Sequence, residues 1–154
     1  MQFILIASMS YYQLCLYILV QVHFYNIGGV LLGVKFLKIA VVYFAIAIIL
    51  GLVMGIIHDF ALTSIHAHLN LLGWVSMALF GVIYHLYPAA GETNLAKTHF
   101  WLHNLGVPIM QGGIALMTIT ENGVYLIPTI ISSIAVVLGG LLFAVNVFKQ
   151  VRSS

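Results

Sequence analysis

The chain has 154 residues, of which 63% are hydrophobic and only 5% are charged. Soluble domains carry about 25% charged residues, so this composition excludes an ordinary soluble domain and indicates an integral membrane protein whose spanning elements are helices. The formal net charge of +2 is too small to suggest a nucleic-acid partner, and the single cysteine excludes an internal disulfide or a CxxC site.

Residues 1–34 carry no charge and form the first predicted unit. Ile4 to Val20 could be an additional membrane span or an interfacial helix, and Tyr25 to Gly29 (YNIGG) would then be the turn into the rest of the chain. The stretch lacks the basic start and the A-x-A-like site of a signal peptide. An extra N-terminal hydrophobic helix therefore stays open as an addition to the main fold.

Residues 35–150 form the second predicted unit and contain four apolar segments. Each has about 20 residues or more, enough to cross a hydrocarbon core of about 30 Å. The connections are short, so neighbouring segments run antiparallel, and the sequence predicts an all-α, four-helix up-down bundle in the membrane. The segments are Lys35–Ile57, His66–Pro88, Thr98–Thr118 and Val124–Phe148.

The basic residues predict the orientation of this bundle. With four alternating spans, all Lys and Arg side chains fall on one side of the membrane, and Asp59 and Glu121 fall on the other. Because cytoplasmic loops are enriched in Lys and Arg, that side and the C-terminus are expected to be cytoplasmic. The basic residues are Lys35, Lys38, Lys97, Lys149 and Arg152.

The seven histidines, against only three acidic residues, are the most informative feature of the composition. His66 and His68 lie near the outer end of the second segment and, as i and i+2 on a helix, point about 200° apart. They cannot chelate one small ion, but each could ligate a haem iron. Trp74, two turns further on, could line the cofactor pocket. The alternative is that these side chains lie at the water interface or fill the bundle.

Three further histidines, His85, His99 and His103, lie near the inner end. His99 and His103 are i and i+4 on the third segment and share a face, a spacing that suits one metal ion. With His85 they would give copper or zinc three nitrogen ligands. Interfacial rings without a metal are again the alternative.

The stretch HAHLNLLGWVSMALFGVIYHLYP, residues 66–88, resembles the tenth transmembrane helix of subunit I of the haem–copper oxidases, in the nitric oxide reductase and cbb3-type branch. KTHFWLHNLGVPIMQGGIALM, residues 97–117, is similar to the helix that follows it. The likeness covers about residues 35–150, one four-helix third of subunit I. It implies that His66 ligates a high-spin haem and His68 a low-spin haem.

The chain also departs from that family, whose subunit I has twelve spans in three arcs of four. It has no adjacent histidine pair for copper and no partner histidine for the low-spin haem. The resemblance therefore implies a haem b protein of the bacterial inner membrane that carries electrons from a respiratory-chain donor or binds O₂ or NO, without full oxygen reductase activity.

Three copies of one arc would rebuild the twelve-helix ring, so we expect a homotrimer with haem between His66 of one copy and His68 of the next. The alternative function is a copper- or zinc-binding assembly protein that uses His85, His99 and His103.

Overall fold

A computed structural model of the chain describes residues 11–151, with side chains placed at residue 13 and at residues 27–151. Every regular element in that part of the chain is a helix, which confirms the all-α prediction. In chain order the elements are α1 (Tyr11–Ile57), α2 (Thr63–His68), a π-helix (Leu69–Ser76), α3 (Met77–Leu86), α4 (Pro88–Gly91), α5 (Asn94–Thr120), a 3₁₀ turn (Gly123–Tyr125) and α6 (Leu126–Gln150).

Three helical stretches in the described part of the chain are long and apolar enough to cross a membrane: Ile27–Ile57, Thr63–Leu86 and Gly123–Gln150. The second joins α2, the π-helix and α3 into one rod. The helix α5 has 27 residues and is long enough, but Lys97 and its histidines, asparagines and glutamine make it less apolar. The fourth predicted span therefore stays a prediction.

The predicted turn at Tyr25–Gly29 is wrong, because α1 runs without interruption from Tyr11 to Ile57. Residues 11–34 thus extend the first predicted span instead of forming a separate helix. Two neighbouring glycines cost a helix only about 1 kcal/mol each, and α1 contains no proline to end it. The part of the proposed Ile4–Val20 span that precedes Tyr11 lies outside the described residues.

Small residues bring α1 close to the rod that follows it. A Cβ on Gly33 would lie 2.7 Å from the carbonyl oxygen of Gly81, so the two backbones touch where these glycines cross. Further along, Gly51 of α1 lies against the ring of His66. The pairing of 33 with 81 and of 51 with 66 means that α1 and the rod are antiparallel. Close approach through glycine is the usual packing of membrane helices.

The helices α5 and α6 form a second antiparallel pair, in which Gly106 lies beside Ser132 and Gly139 lies beside Leu102. The two pairs meet around a cluster of aromatic rings with centroids 4.5 to 5.8 Å apart. This core is off-centre, nearer to α4 than to the HAH motif. Its rings are those of Phe36, Phe80, Tyr84 and Phe143.

The two ends of the molecule differ in chemistry. Lys35 and Lys97 line one cavity, and we call this the lysine end. His66 and His68 lie at the opposite end of the rod, which we call the HAH end. Between the ends, large apolar side chains on every long helix are mostly exposed, for example Leu52 (64%), Leu71 (61%), Ile109 (51%) and Ile127 (68%). An exposed apolar surface of this extent marks a face that contacts a membrane or another protein.

Candidate functional site

His66 is held between α2 and α1. Its Nδ1 atom lies 3.0 Å from the carbonyl oxygen of Ala47. Because a carbonyl oxygen only accepts, Nδ1 carries the proton and donates, and Nε2 keeps its lone pair. Gly51 makes room for the ring, since a Cβ there would lie 2.6 Å from His66 Cε1. The side-chain amide of Asn70 donates to the carbonyl oxygen of His66 at 2.9 Å and lies 3.4 Å from its Nε2.

His68 is anchored in the same way but points elsewhere. Its Nδ1 lies 2.7 Å from the carbonyl oxygen of Ser64, one turn back on α2, so Nδ1 is again the protonated nitrogen. The ring is partly exposed, and Nε2 makes no hydrogen bond within the part of the chain that the structure describes. His66 therefore bonds to α1, whereas His68 bonds back to its own helix, and both rings are partly exposed.

The π-helix begins at the residue after His68 and runs for eight residues. In a π-helix the backbone hydrogen bonds span five residues rather than four, and such stretches are rare and frequent at functional sites. Trp74 lies within it, is half-buried, and packs against Phe44 of α1 with ring centroids 4.9 Å apart. The structure therefore places Trp74 in the packing between α1 and the rod.

The three histidines expected to form one site near the lysine end are not brought together. His99 and His103 are buried, with 0% and 2% of their surface exposed, whereas His85 is exposed. No group of three His, Cys, Asp or Glu side chains within residues 11–151 is placed to hold a metal ion. Tyr84 occupies the buried face of α3, and its neighbour His85 is turned about 100° away.

The buried pair has partners on only one side of each ring. Tyr84 Oη lies 3.0 Å from His99 Nδ1, and His103 Nε2 donates to the carbonyl oxygen of Leu72 at 3.1 Å. The ring centroids of the two histidines are 5.7 Å apart. The remaining nitrogens, His99 Nε2 and His103 Nδ1, are buried and have no hydrogen-bond partner among the described residues. An unpaired buried polar atom is costly. His103 Nδ1 has a lone pair because Nε2 is the donor, and His99 Nε2 has one in the tautomer in which Nδ1 donates to Tyr84 Oη.

A polar network near the lysine end was missed in the sequence. Asn146 Nδ2 donates to the carbonyl oxygen of Ala90 at 2.8 Å, and Thr93 Oγ1 lies 2.9 Å from Asn146 Oδ1. The same hydroxyl accepts from the backbone N–H of Ala96 at 3.0 Å and so caps α5. The network ties α4, α5 and α6 together. The sequence signal for this network was Asn146, a single asparagine in the apolar helix α6.

The HAH end and the buried histidine pair are separate sites. His66 contacts α1 at Ala47, and His99 stacks on Phe36 with ring centroids 5.2 Å apart. These two positions are about 16 Å apart along α1 at 1.5 Å per residue. No protein-family model, curated protein or solved structure matches the chain.

Proposed function

We propose that this chain is a multi-pass membrane protein that binds haem b at the HAH motif and either carries electrons or binds a diatomic gas. The observation that carries the proposal is that Nδ1 of His66 and Nδ1 of His68 lie 3.0 Å and 2.7 Å from backbone carbonyl oxygens. Both donate through Nδ1 to a backbone carbonyl oxygen, so both keep Nε2 as a lone pair. A neutral imidazole oriented by this kind of hydrogen bond is the form that ligates iron.

The hydropathy of the helices and the exposed apolar side chains support the placement of the chain in a membrane. Three helical stretches have the length and hydropathy of spans, and the exposed side chains between the two ends are large and apolar. Lys35 and Lys97 lie at the same end, which agrees with the distribution of basic residues in multi-pass proteins. The lysine end is therefore proposed to be the cytoplasmic one, with α5 as the fourth span of an up-down bundle.

The two histidines fit a haem unequally. His68 has a partly exposed ring and an unpaired Nε2, which would ligate iron without rearrangement. His66 Nε2 is 3.4 Å from the amide of Asn70, so Asn70 would have to turn aside first. A bound haem would supply a one-electron redox centre or, with an open axial position, a site for O₂ or NO. The residue that we expect to hold it most strongly is His68.

The decisive measurement is a reduced-minus-oxidised absorption spectrum of the detergent-purified protein, expressed with haem supplied. We expect b-type bands that are lost in His68→Ala and weakened in His66→Ala. The matched control is His58→Ala, because His58 is an exposed histidine near the same end and is given no role. A flat spectrum for the unsubstituted protein, or equal bands in all variants, would refute the proposal.

A second candidate function is copper or zinc binding by the buried pair. The favouring observation is that His99 Nε2 and His103 Nδ1 are buried without partners. His85 is not part of this reduced site. If the pair binds metal, the double variant His99→Ala/His103→Ala loses the copper or zinc that co-purifies with the protein, whereas His85→Ala retains it. Equal metal content in both variants removes this candidate.

A further inference from the structure

The lysine end carries a cavity of about 350 Å³ between α1 and α5, which neither the haem site nor the buried histidine pair uses. We propose that it binds the headgroup of one phospholipid of the surrounding bilayer, and that this lipid is phosphatidylethanolamine. The proposal rests on the membrane placement argued above. It is independent of haem binding.

The cavity presents charges of both signs. Lys35 of α1 and Lys97 of α5 both line it and are exposed. Glu92, in the link before α5, also lines it, and its carboxylate lies against Gly28 of α1. Glu92 Oε1 is buried and has no hydrogen-bond partner among the described residues. Glu92 thus brings a negative charge to the cavity that the two lysines line, so the site suits a headgroup that carries a cation as well as an anion.

The cavity continues into an apolar groove through Trp101, whose side chain borders both spaces. The groove has a volume of about 450 Å³ and runs between α5 and α6, from Trp101 to Ile109 on one side and from Pro128 to Ala135 on the other. Its length is about 12 Å at 1.5 Å per residue, close to the hydrocarbon depth of one leaflet of a bilayer about 30 Å thick. A polar cavity that opens onto such a groove matches a headgroup with an acyl chain attached.

The charges select among the common phospholipids. A phosphate fits between Lys35 and Lys97, since basic pockets between membrane helices on the cytoplasmic side bind lipid phosphates. The primary ammonium of ethanolamine has N–H groups that can donate to the carboxylate of Glu92 as a charge-assisted hydrogen bond. The quaternary ammonium of choline has no N–H to donate. The glycerol of phosphatidylglycerol brings no positive charge to the carboxylate.

The test is native mass spectrometry of the purified, delipidated chain with phosphatidylethanolamine, phosphatidylcholine or phosphatidylglycerol of the same acyl chains. We expect the ethanolamine lipid to bind about tenfold more tightly than the choline lipid, the size of one charge-assisted hydrogen bond. Glu92→Gln should reduce that preference to about twofold or less, because the amide keeps the shape and loses the charge. Lys35→Gln/Lys97→Gln should weaken the ethanolamine and choline lipids together.

Lys149→Gln is the matched control, because Lys149 is an exposed lysine near the same end that does not line the cavity; its lipid binding should not change. Equal binding of the ethanolamine and choline lipids, tighter binding of phosphatidylglycerol, or a co-purifying quinone that displaces the lipid would each overturn the proposal. If the haem proposal fails, the reduced-minus-oxidised absorption spectrum is flat, but the preference for the ethanolamine lipid remains. Failure of the membrane placement shows as release of the chain from membranes by alkaline carbonate.

Discussion

The absence of a side chain at Gly51 determines where the ring of His66 can lie. The imidazole occupies the space that a Cβ would fill, and this lets Nδ1 reach the carbonyl oxygen of Ala47. The position of the His66 ring on α2 thus depends on the glycine at position 51 of α1. At Gly55, one turn further on, a Cβ would meet no side chain or neighbouring helix within 4 Å among the described residues. Substituting alanine at each of the two glycines therefore tests the role of Gly51, because only the substitution at Gly51 is expected to destabilise the fold.

Gly51→Ala should displace the His66 ring and break its hydrogen bond to Ala47. We expect a loss of about 1–2 kcal/mol in the free energy of unfolding, the range for a buried hydrogen bond and local strain. Gly55→Ala should be neutral or stabilise by up to about 1 kcal/mol, since alanine is the better helix former. Thermal unfolding of both variants in the same detergent measures this. Equal effects of the two substitutions would contradict the role assigned to Gly51.

Among the elements, the π-helix is tied to a distant histidine. His103 of α5 donates through Nε2 to the carbonyl oxygen of Leu72 in the middle of the π-helical stretch. A π-helix is a less favourable backbone state that persists where the surroundings hold it. The bond from His103 is one such support, and it reaches the rod about one turn beyond His68, so His103 helps to set the geometry of the rod that carries the HAH motif.

We expect His103→Leu to speed backbone amide exchange within Leu69–Ser76 and to cost about 1–3 kcal/mol of stability, because it leaves the buried carbonyl oxygen of Leu72 without its partner from α5. Hydrogen–deuterium exchange by mass spectrometry resolves the affected segment. Asn104→Leu is the control, since the amide of Asn104 bonds only within its own helix, to Phe100. If both variants exchange alike in the π-helix, His103 does not support it.

Hydropathy was enough to predict the helices, because each long apolar run must satisfy its backbone within a helix. The turn at Tyr25–Gly29 was not a turn, because glycine without proline weakens a helix but does not end it. The π-helix had no sequence signal, and its contact with His103 joins residues 31 positions apart in the chain, which helical spacing does not predict. His85 is exposed and does not join His99 and His103 as expected. Spacing along a helix gives depth, whereas the direction of a side chain depends on which neighbour, here Tyr84, packs inward.

At the scale of the whole molecule, the groups that could bind ligands lie at different positions along the long helices. The HAH motif lies at one end, the aromatic core with the buried histidine pair is further along, and the charged cavity lies at the other end. The lysine end is closed by the hydrogen bonds of Asn146 and Thr93. The apolar exterior between the ends is open to lipid or to another copy of the chain. In a single copy the ring of His68 is partly exposed, and its Nε2 makes no hydrogen bond to the described residues.

The divergence of the two histidines leads to the proposal of an oligomer. A haem with two histidine ligands would need two imidazoles, and His66 and His68 of one chain are anchored apart, to the carbonyl oxygens of Ala47 on α1 and Ser64 on α2. In an oligomer the second imidazole would come from another copy, and closed cyclic symmetry would give every copy the same site. Three copies of a four-helix unit make a twelve-helix ring, so we propose a trimer.

The trimer proposal predicts that the mass of the assembly and its haem content change together. For a chain of 16.9 kDa, native mass spectrometry should give about 51 kDa of protein, three times the chain mass, with one haem per chain. Because each haem would bridge two copies, His68→Ala should lower the trimer fraction as well as the haem content, whereas His58→Ala should change neither.

Ligand binding stabilises the state that holds the ligand, so removing haem should shift the unsubstituted protein towards monomer. A haem-loaded monomer would rule out the shared site, and a haem-loaded dimer would retain sharing but exclude the ring.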